Sequence, residues 1–425
     1  MPLILKDGFV VQEKVRQANL IIDDGIIADI SETAPTDALI ADSTVIDCSG
    51  LYILPGLIDM HVHLREPGYE YKEDIQSASR AAAYGGVTTI CSMANTNPPV
   101  DNSSIVSWIK NRSREIGLCD VLPYAALTKG MKGEELTEIG DILSAGACGF
   151  SDDGFPISSS EVMRRGLEYT RFFNSFIACH EEDRELFNNA SMHEGKISAQ
   201  CGIRSAPAEA ESVMVARDIE LARLTGGRVH FCHISSKHSV ELIRRAKEAG
   251  LNITAEVTPN HLSLTDEICQ DYDSFAKVNP PLREESDRLA LLEAVKSGVI
   301  DCIASDHAPH HIDDKLKEFD CAAFGMIGLQ LIIPLLTHFV EEGFIDWCEF
   351  AKITAANPAK ILNLNDRGVL RKGLAADIAV IDPKSEYIFD ESVNASKSYN
   401  TPFWKKKLRG RAVYTIKGGK AAAKV

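Results

Sequence analysis

A repeated alternation constrains the fold most strongly, because short β-rich runs are each followed by a longer segment of helical character through the middle of the chain. Alternation of this kind predicts a parallel sheet assembled from βα units. Eight such units favour a closed (β/α)8 barrel over an open sheet. The predicted strands cover residues 53–61, 87–93, 121–127, 148–153, 176–180, 229–234, 252–257 and 301–305.

The segments between these strands have the apolar spacing of helices. Before the sixth strand, for example, Val215, Ile219 and Ala222 fall at i, i+4 and i+7. Pro207 lies near the expected start of this helix, and Gly226 lies just past its end. The sequence therefore predicts an α/β protein with a TIM-like barrel.

The two ends of the chain lack the helical period. Short predicted strands separated by polar turns cover residues 19–22, 26–30 and 44–46, and again 379–381, 387–389 and 412–416. Neither end is large enough to form a core alone, so we expect them to combine. The prediction is a small β-sandwich domain formed from residues 1–53 and 361–425, attached to a barrel of residues 54–360.

Charge and hydropathy exclude several classes of protein. The 45 basic and 61 acidic residues give a net charge of −16, the wrong sign for binding nucleic acid or an anionic membrane. The longest largely apolar stretch, residues 321–336, is shorter than the ~20 residues that span a bilayer. No secretory signal is visible, and the odd number of cysteines, 11, suits a reducing compartment. We therefore expect a cytoplasmic protein.

Metal-ligating side chains recur where the predicted strands end, which is where barrel enzymes place their chemistry. His61 and His63 lie two residues apart in the first strand, so both side chains can face the barrel mouth. Imidazole and carboxylate together suit zinc or a similar divalent ion. The further candidates are Asp153, His180, His233 and Asp306. Structural or surface roles are expected for His193, His230, His238, His261 and His338.

Six segments together resemble the dihydroorotases of the amidohydrolase superfamily, in the long form found in bacteria. They are LPGLIDMHVHLREPG at 54–68, MANTNPP at 93–99, GFSDDG at 149–154, VNPPLR at 278–283, SDHAPH at 305–310 and NPAK at 357–360. A lone His-x-His pair would indicate only the superfamily. Arg65 after the pair, together with the Asn-Pro segments, points to this branch.

The resemblance implies a role for each matching position. His61, His63 and Asp306 would hold one zinc ion, His180 and His233 a second, and Asp153 would contact both, so that one or two Zn²⁺ are expected per chain. Asp306 would also be the catalytic acid–base. The substrate contacts implied are His63, Arg65, Asn95, Asn279, His310, Phe324 and Gly325, with Arg65, Asn95 and His310 on the substrate carboxylate.

The ligand after the fourth strand needs a separate argument. Many superfamily members bridge two metals with a carboxylated lysine, but Lys129, Lys132 and Lys196 all lie away from the end of the strand at 148–153. A side-chain carboxylate must therefore replace it. Neighbouring strand residues face opposite sides, so only one of Asp152 and Asp153 can serve, and the resemblance selects Asp153.

The activity implied is reversible hydrolysis of the cyclic amide of L-dihydroorotate to N-carbamoyl-L-aspartate, in de novo pyrimidine (UMP) biosynthesis. One alternative is an allantoinase or hydantoinase, against which Asp153 in place of lysine and Arg65 both count. Another is a non-catalytic dihydroorotase-like partner of aspartate transcarbamoylase, against which the full ligand set counts. The small-molecule substrate is the expected partner, and a homodimer or association with aspartate transcarbamoylase fits the same resemblance.

Overall fold

The structure, a computed structural model, describes residues 1–424 and contains a closed barrel of eight parallel strands. Each strand pairs with its neighbour in chain order, and the first and eighth are joined through a bridge between Val62 and His307. His63 N donates to His307 O at 2.9 Å across this junction. The barrel strands are Leu57–Val62, Val87–Ser92, Asp120–Ala125, Gly149–Phe150, Ile177–Cys179, Val229–Phe231, Ile253–Val257 and Cys302–Ile303. The predicted barrel is confirmed.

The first predicted strand differs from the structure, because residues 53–61 belong to two strands. Tyr52–Pro55 pairs with the terminal sheet, and the barrel strand begins at Leu57. Gly56 separates them: a Cβ there would lie 2.3 Å from the Thr88 side chain, and Gly56 N donates to Asp377 O at 2.8 Å. The run is apolar on both sides of this glycine, so its pattern does not reveal the change of sheet.

Helices surround the barrel and bury one face against it. The helix predicted before the sixth strand is confirmed as Glu209–Thr225, with Val215, Ile219 and Ala222 buried. The longer helices are Ile75–Tyr84, Ser103–Ile116, Ile139–Ala145, Ser160–Phe172, Glu209–Thr225, Lys237–Glu248, Glu285–Lys296 and Ile332–Glu341. Shorter helices are Asp37–Ala41, Arg184–Phe187, Lys196–Cys201, Pro259–Ser263, Ile312–Lys315, Trp347–Ala351 and Asn357–Ile361.

The remaining helical turns and two short strands lie in the connections. The 3₁₀ turns are Lys129–Met131, Asp266–Cys269 and Ser274–Ala276, a π-helical turn covers Lys352–Ala356, and Met192–His193 pairs with Ser205–Ala206. Within residues 1–424, the helices all fall short of the combined length and apolar character that a membrane crossing requires.

Both ends of the chain join in one eight-stranded sheet. Its strands are Leu3–Val11, Val15–Asp23, Ile26–Ser31, Thr44–Asp47, Tyr52–Pro55, Ile378–Ile388, Lys407–Lys417 and Lys420–Lys424. The junction between the two ends is the antiparallel pairing of Tyr52–Pro55 with Ile378–Ile388. The sheet packs around its own buried apolar cluster, which includes Leu5, Val10 and Ile378. Because these residues come from both ends of the chain, burying them together stabilises the expected association of the two ends.

Candidate active site

The candidate metal ligands lie at the carboxyl ends of five barrel strands. His61 is in the first strand and His63 follows it directly, whereas the others lie one to three residues beyond their strands: Asp153, His180, His233 and Asp306. His233 and Asp306 have positive φ angles of 34° and 46°. This left-handed backbone costs about 1–3 kcal/mol per residue and is typical of functional sites. It turns each side chain toward the barrel axis.

The six side chains converge on one buried point. Asp153 Oδ1 lies 3.6 Å from His61 Nε2, 3.5 Å from His180 Nδ1 and 3.4 Å from His233 Nε2. Asp306 Oδ1 lies 3.2 Å from His63 Nε2 and 3.6 Å from His61 Nε2. Asp153 Oδ2 completes the cluster at 3.5 Å from His63 Nε2. The structure therefore brings together every residue predicted as a metal ligand.

These separations fit a metal ion better than a set of hydrogen bonds. Zn–N distances of about 2.0–2.1 Å in a tetrahedral shell place neighbouring ligand atoms about 3.3–3.4 Å apart. His61 Nε2 and Asp153 Oδ1 are both buried, and neither has a hydrogen-bond partner within residues 1–424. With His61 Nδ1 held by Glu256, His61 Nε2 and Asp153 Oδ1 both offer lone pairs, and a divalent cation would satisfy both atoms.

The electrostatics of the cluster agree with this reading. Burial raises the pKa of Asp153, but the surrounding imidazoles outweigh burial and hold that pKa well below its usual value. Burial lowers the pKa of His180, yet Asp153 and Glu182 together raise it to about 10. Asp153 and His180 thus stabilise each other as charged groups, and metal binding would displace the proton that His180 carries.

Asp152 and Asp153 have different partners and therefore different roles. Asp152 Oδ1 accepts hydrogen bonds from Leu127 N at 2.7 Å and Thr128 N at 3.2 Å, so this carboxylate fixes the loop after the third strand. Asp153 alone faces the imidazoles. The two side chains therefore have different partners as predicted, although the strand ends at Phe150 and both residues lie in the loop beyond it.

A second layer of polar side chains holds the first. His61 Nδ1 lies 2.8 Å from Glu256 Oε1, and His63 Nδ1 lies 2.9 Å from Asn95 Oδ1. Sequence reasoning missed Glu256, although a carboxylate inside the apolar strand Ile253–Val257 is a signal that could have found it. Asn95, predicted as a substrate contact, also donates to Asp153 O at 3.3 Å and so orients two of the ligands.

The predicted substrate residues surround the mouth beside this cluster. Arg65 Nε donates to Pro309 O at 3.2 Å, and Arg65 Nη2 lies 3.3 Å from His310 Nε2. Asn279 Nδ2 donates to Glu182 Oε2 at 2.8 Å and lies 3.4 Å from His180 Nε2. Glu182 is a second polar residue of the site that the sequence did not single out.

The loop that carries Phe324 and Gly325 is pinned over the mouth. Gly325 has a φ of +133°, and a Cβ there would lie 2.8 Å from Ala308 O, so only glycine fits. Asn400 Nδ2 donates to Ala308 O and to Gly325 O, each at 3.0 Å, and Asn400 Oδ1 accepts from His310 N at 3.0 Å. One buried amide from the terminal region thus holds both walls of the mouth.

Solved structures of other proteins share this architecture. An L-hydantoinase from Arthrobacter aurescens superposes with a TM-score of 0.87 at 24% identity, covering 99% of this chain and 96% of that one. A dihydropyrimidinase from Brevibacillus agri gives 0.85 at 22% identity, with coverage of 99% and 95%. The fold is therefore the same as that of these two proteins.

Sequence similarity gives the family. Residues 50–239 match the family model described as Dihydro-orotase-like. The dihydroorotase of Aquifex aeolicus is 44% identical over 428 residues, covering 100% of both chains, and that of Acetivibrio thermocellus is 43% identical over 421 residues, covering 98% of both. The chain belongs to the dihydroorotase family.

Proposed function

We propose that this chain is a zinc-dependent enzyme that reversibly hydrolyses the ring amide of L-dihydroorotate to N-carbamoyl-L-aspartate in de novo pyrimidine biosynthesis. The observation that carries the proposal is the convergence of six metal-ligating side chains beside Arg65, which is half-buried. Relatives that share 43% or more of their residues over nearly the whole chain, and that are named dihydroorotases, support it.

The donor set divides between two ions. His61, His63 and Asp306 would hold one, His180 and His233 the other, and Asp153 would lie between them because its two oxygens face imidazoles of both groups. A divalent metal bound there lowers the pKa of water from about 15.7 to about 7 and polarises the ring carbonyl. The carboxylates and imidazoles of the chain supply positions for one or two such ions.

Asp306 is placed to move the proton. Its Oδ1 faces His63 Nε2 at 3.2 Å, and His63 and His61 hold the pKa of the carboxyl below its usual value although burial opposes this. The carboxylate therefore accepts the proton of the attacking water and delivers it to the departing ring nitrogen. General acid–base transfer of this kind contributes about 10²–10⁴-fold to rate.

Arg65 selects the substrate. Dihydroorotate differs from dihydrouracil by a carboxylate, and the guanidinium fork matches a carboxylate with two parallel hydrogen bonds. Arg65 Nε donates to Pro309 O, and this hydrogen bond fixes the orientation of the guanidinium group. The two terminal nitrogens are then available to bind the carboxylate. Hydantoinases share the barrel with this chain, but the half-buried Arg65 beside the metal cluster favours a ring that carries a carboxylate.

The test compares substrates in the zinc-loaded enzyme. We expect turnover of L-dihydroorotate, and we expect Arg65→Met to lower its kcat/KM about 10- to 150-fold, as for one charge-assisted hydrogen bond of about 1.5–3 kcal/mol. Weak activity on dihydrouracil should not change. Arg80→Met is the matched control, since Arg80 also donates to a backbone carbonyl, Ala395 O, away from the mouth. Equal losses on both substrates, or a wild type that prefers hydantoin, would contradict the proposal.

A further inference from the structure

His310 lies between two cationic side chains, one at each nitrogen of its ring. Arg65 Nη2 is 3.3 Å from His310 Nε2, and Lys72 Nζ is 3.2 Å from His310 Nδ1. The Lys72 side chain is 16% exposed and the His310 side chain 10%. Both nitrogens of this imidazole therefore face hydrogen-bond donors in a largely desolvated place.

This arrangement leaves one donor without an acceptor. Burial, with the charges of Arg65 and Lys72, lowers the pKa of His310 far below its usual value, so the ring is neutral. A neutral imidazole has one N–H donor and one acceptor nitrogen. It can accept a hydrogen bond from Lys72 or from Arg65, but not from both.

The surroundings of Lys72 decide which donor is satisfied. The ammonium forms an ion pair with Asp314 at 3.0 Å, and the rings of Tyr69 and Tyr71 lie 5.8 and 5.5 Å from it. Asp314 Oδ2 is 3.8 Å from His310 Nδ1, beyond hydrogen-bond distance, so it does not compete for a proton on that nitrogen. Lys72, held by Asp314, is therefore a fixed hydrogen-bond donor to His310 Nδ1.

The backbone holds Lys72 in the same loop as Arg65. Tyr69 N donates to Arg65 O at 2.9 Å, Lys72 N donates to Tyr69 O at 2.9 Å, and Ser398 Oγ donates to Lys72 O at 2.8 Å. On the other side of the ring, Arg65 faces the mouth, where a ligand can enter. Arg65 is therefore the donor left without an acceptor on the ring, and a ligand that enters the mouth can supply that acceptor.

We propose that Lys72 is a positioning residue that, by donating to Nδ1, keeps the proton of His310 on Nε2, so that this N–H and the Arg65 guanidinium converge on one carboxylate of the substrate. The proposal rests on the proposed function, because it assigns a carboxylate as the acceptor. A carboxylate oxygen placed between Arg65 Nη2 and His310 Nε2 would accept from both nitrogens.

Nitrogen NMR of the zinc-loaded, substrate-free enzyme tests the tautomer directly. Histidine labelled with ¹⁵N gives distinct shifts for protonated and unprotonated ring nitrogens, and His310→Gln identifies the signals among the 12 histidines. We expect Nε2 protonated in the wild type and in Lys72→Arg, which keeps a cationic donor. In Lys72→Met, Arg65 becomes the only donor facing the ring, so the proton should shift to Nδ1. A protonated Nδ1 in the wild type, or no shift in Lys72→Met, would overturn the proposal.

Kinetics tests the consequence for the substrate. Lys72→Met should raise KM for L-dihydroorotate about tenfold, as expected when one hydrogen bond to a charged group is lost, with kcat changed less than about twofold. Lys247→Met is the control, because Lys247 forms an ion pair with Asp301 of similar exposure (20% and 22%) far from the mouth. A tautomer shift without a rise in KM would overturn the carboxylate assignment. Absence of dihydroorotate turnover in the wild type would contradict the proposed function while leaving the tautomer result standing.

Discussion

Glu256 joins two histidines behind the metal cluster. Its Oε1 lies 2.8 Å from His61 Nδ1, and its Oε2 lies 3.0 Å from His230 Nε2. All three side chains are buried. Burial alone would raise the pKa of Glu256, but His230 and His61 hold it well below its usual value. A carboxylate in this position fixes the tautomer and the ring orientation of a ligating histidine, with Nε2 left for the metal.

We expect Glu256→Gln to weaken metal binding about 10- to 100-fold, the usual effect of removing a partner that orients a ligand. Competition with a chelator of known affinity measures it. Glu211→Gln is the matched control, because Glu211 is also buried but accepts hydrogen bonds from Ser235 and Ser236 instead of a ligand. Equal metal affinity in Glu256→Gln and the wild type would show that Glu256 has only a structural role.

Asp306→Asn should lower kcat by about 10²–10⁴-fold, because an amide does not accept the proton that the reaction must move. The fold should survive, since asparagine tolerates the left-handed backbone that Asp306 adopts at φ 46°. Circular dichroism and turnover at saturating zinc check both expectations. Asp152→Asn is the control: it should destabilise the loop at Leu127 and Thr128 while turnover stays. Turnover of Asp306→Asn within tenfold of the wild type would refute the acid–base assignment.

Stability should fall with acid because of a buried neutral histidine. Burial lowers the pKa of His261 from 6.5 to about 4, and its ring is held by Thr258 Oγ1 at 2.8 Å and Pro280 O at 3.0 Å. Between these values the unfolded chain binds the proton that the folded chain does not, so the free energy of unfolding decreases as pH falls from 6.5 to 4. The loss from this residue is on the order of 3 kcal/mol.

Denaturant titrations across that pH range measure the effect. His261→Gln should be less stable than the wild type near pH 7 and should lose less stability on acidification, whereas the exposed His238→Gln should follow the wild type. Because metal release acts on all three proteins, the difference between variants isolates His261. Parallel pH profiles for the wild type and His261→Gln would contradict the expectation.

The sequence predicted the barrel because each strand is a distinct apolar run set between helical segments. It failed at residues 53–61, where one run serves two sheets, and the change of sheet occurs at Gly56, which packs closely on Thr88 of the barrel and donates to Asp377 O. These contacts form only when the terminal sheet and the barrel are both in place. Local periodicity does not contain it.

The convergence of the candidate ligands was predictable because imidazoles and carboxylates at strand ends are unusual and share a direction. The residues that position them were not, because their partners are distant in the chain: Lys72 and His310 are 238 residues apart, and His61 and Glu256 are 195 apart. Asn400 is an ordinary polar residue until the fold brings it to Ala308 and Gly325. Such contacts follow from closure of the barrel and from the return of the carboxyl-terminal segment.

The histidines of the two proposed ion sites differ in the hydrogen-bond partners that orient them. His61 and His63 are each backed by a hydrogen-bonding partner, Glu256 at 2.8 Å and Asn95 at 2.9 Å. His180 Nε2 has only longer contacts, 3.4 Å to Asn279 Nδ2 and 3.7 Å to Glu182 Oε2, and the buried Nδ1 of His233 has no partner within residues 1–424. Since such partners orient ligands and raise their basicity, the ion held by His180 and His233 should bind more weakly.

A chelator titration with metal content and activity measured on the same samples tests this difference. We expect one equivalent to leave first, and His180→Ala to lower metal content by one equivalent while the ion at His61, His63 and Asp306 stays. His193→Ala is the control, because His193 contacts Arg283 at 3.1 Å and lies outside the cluster. Loss of both ions in a single step would contradict unequal sites. Full activity with one equivalent would show that the second ion is dispensable, because Asp306 and the first ion would then suffice to activate water and move its proton.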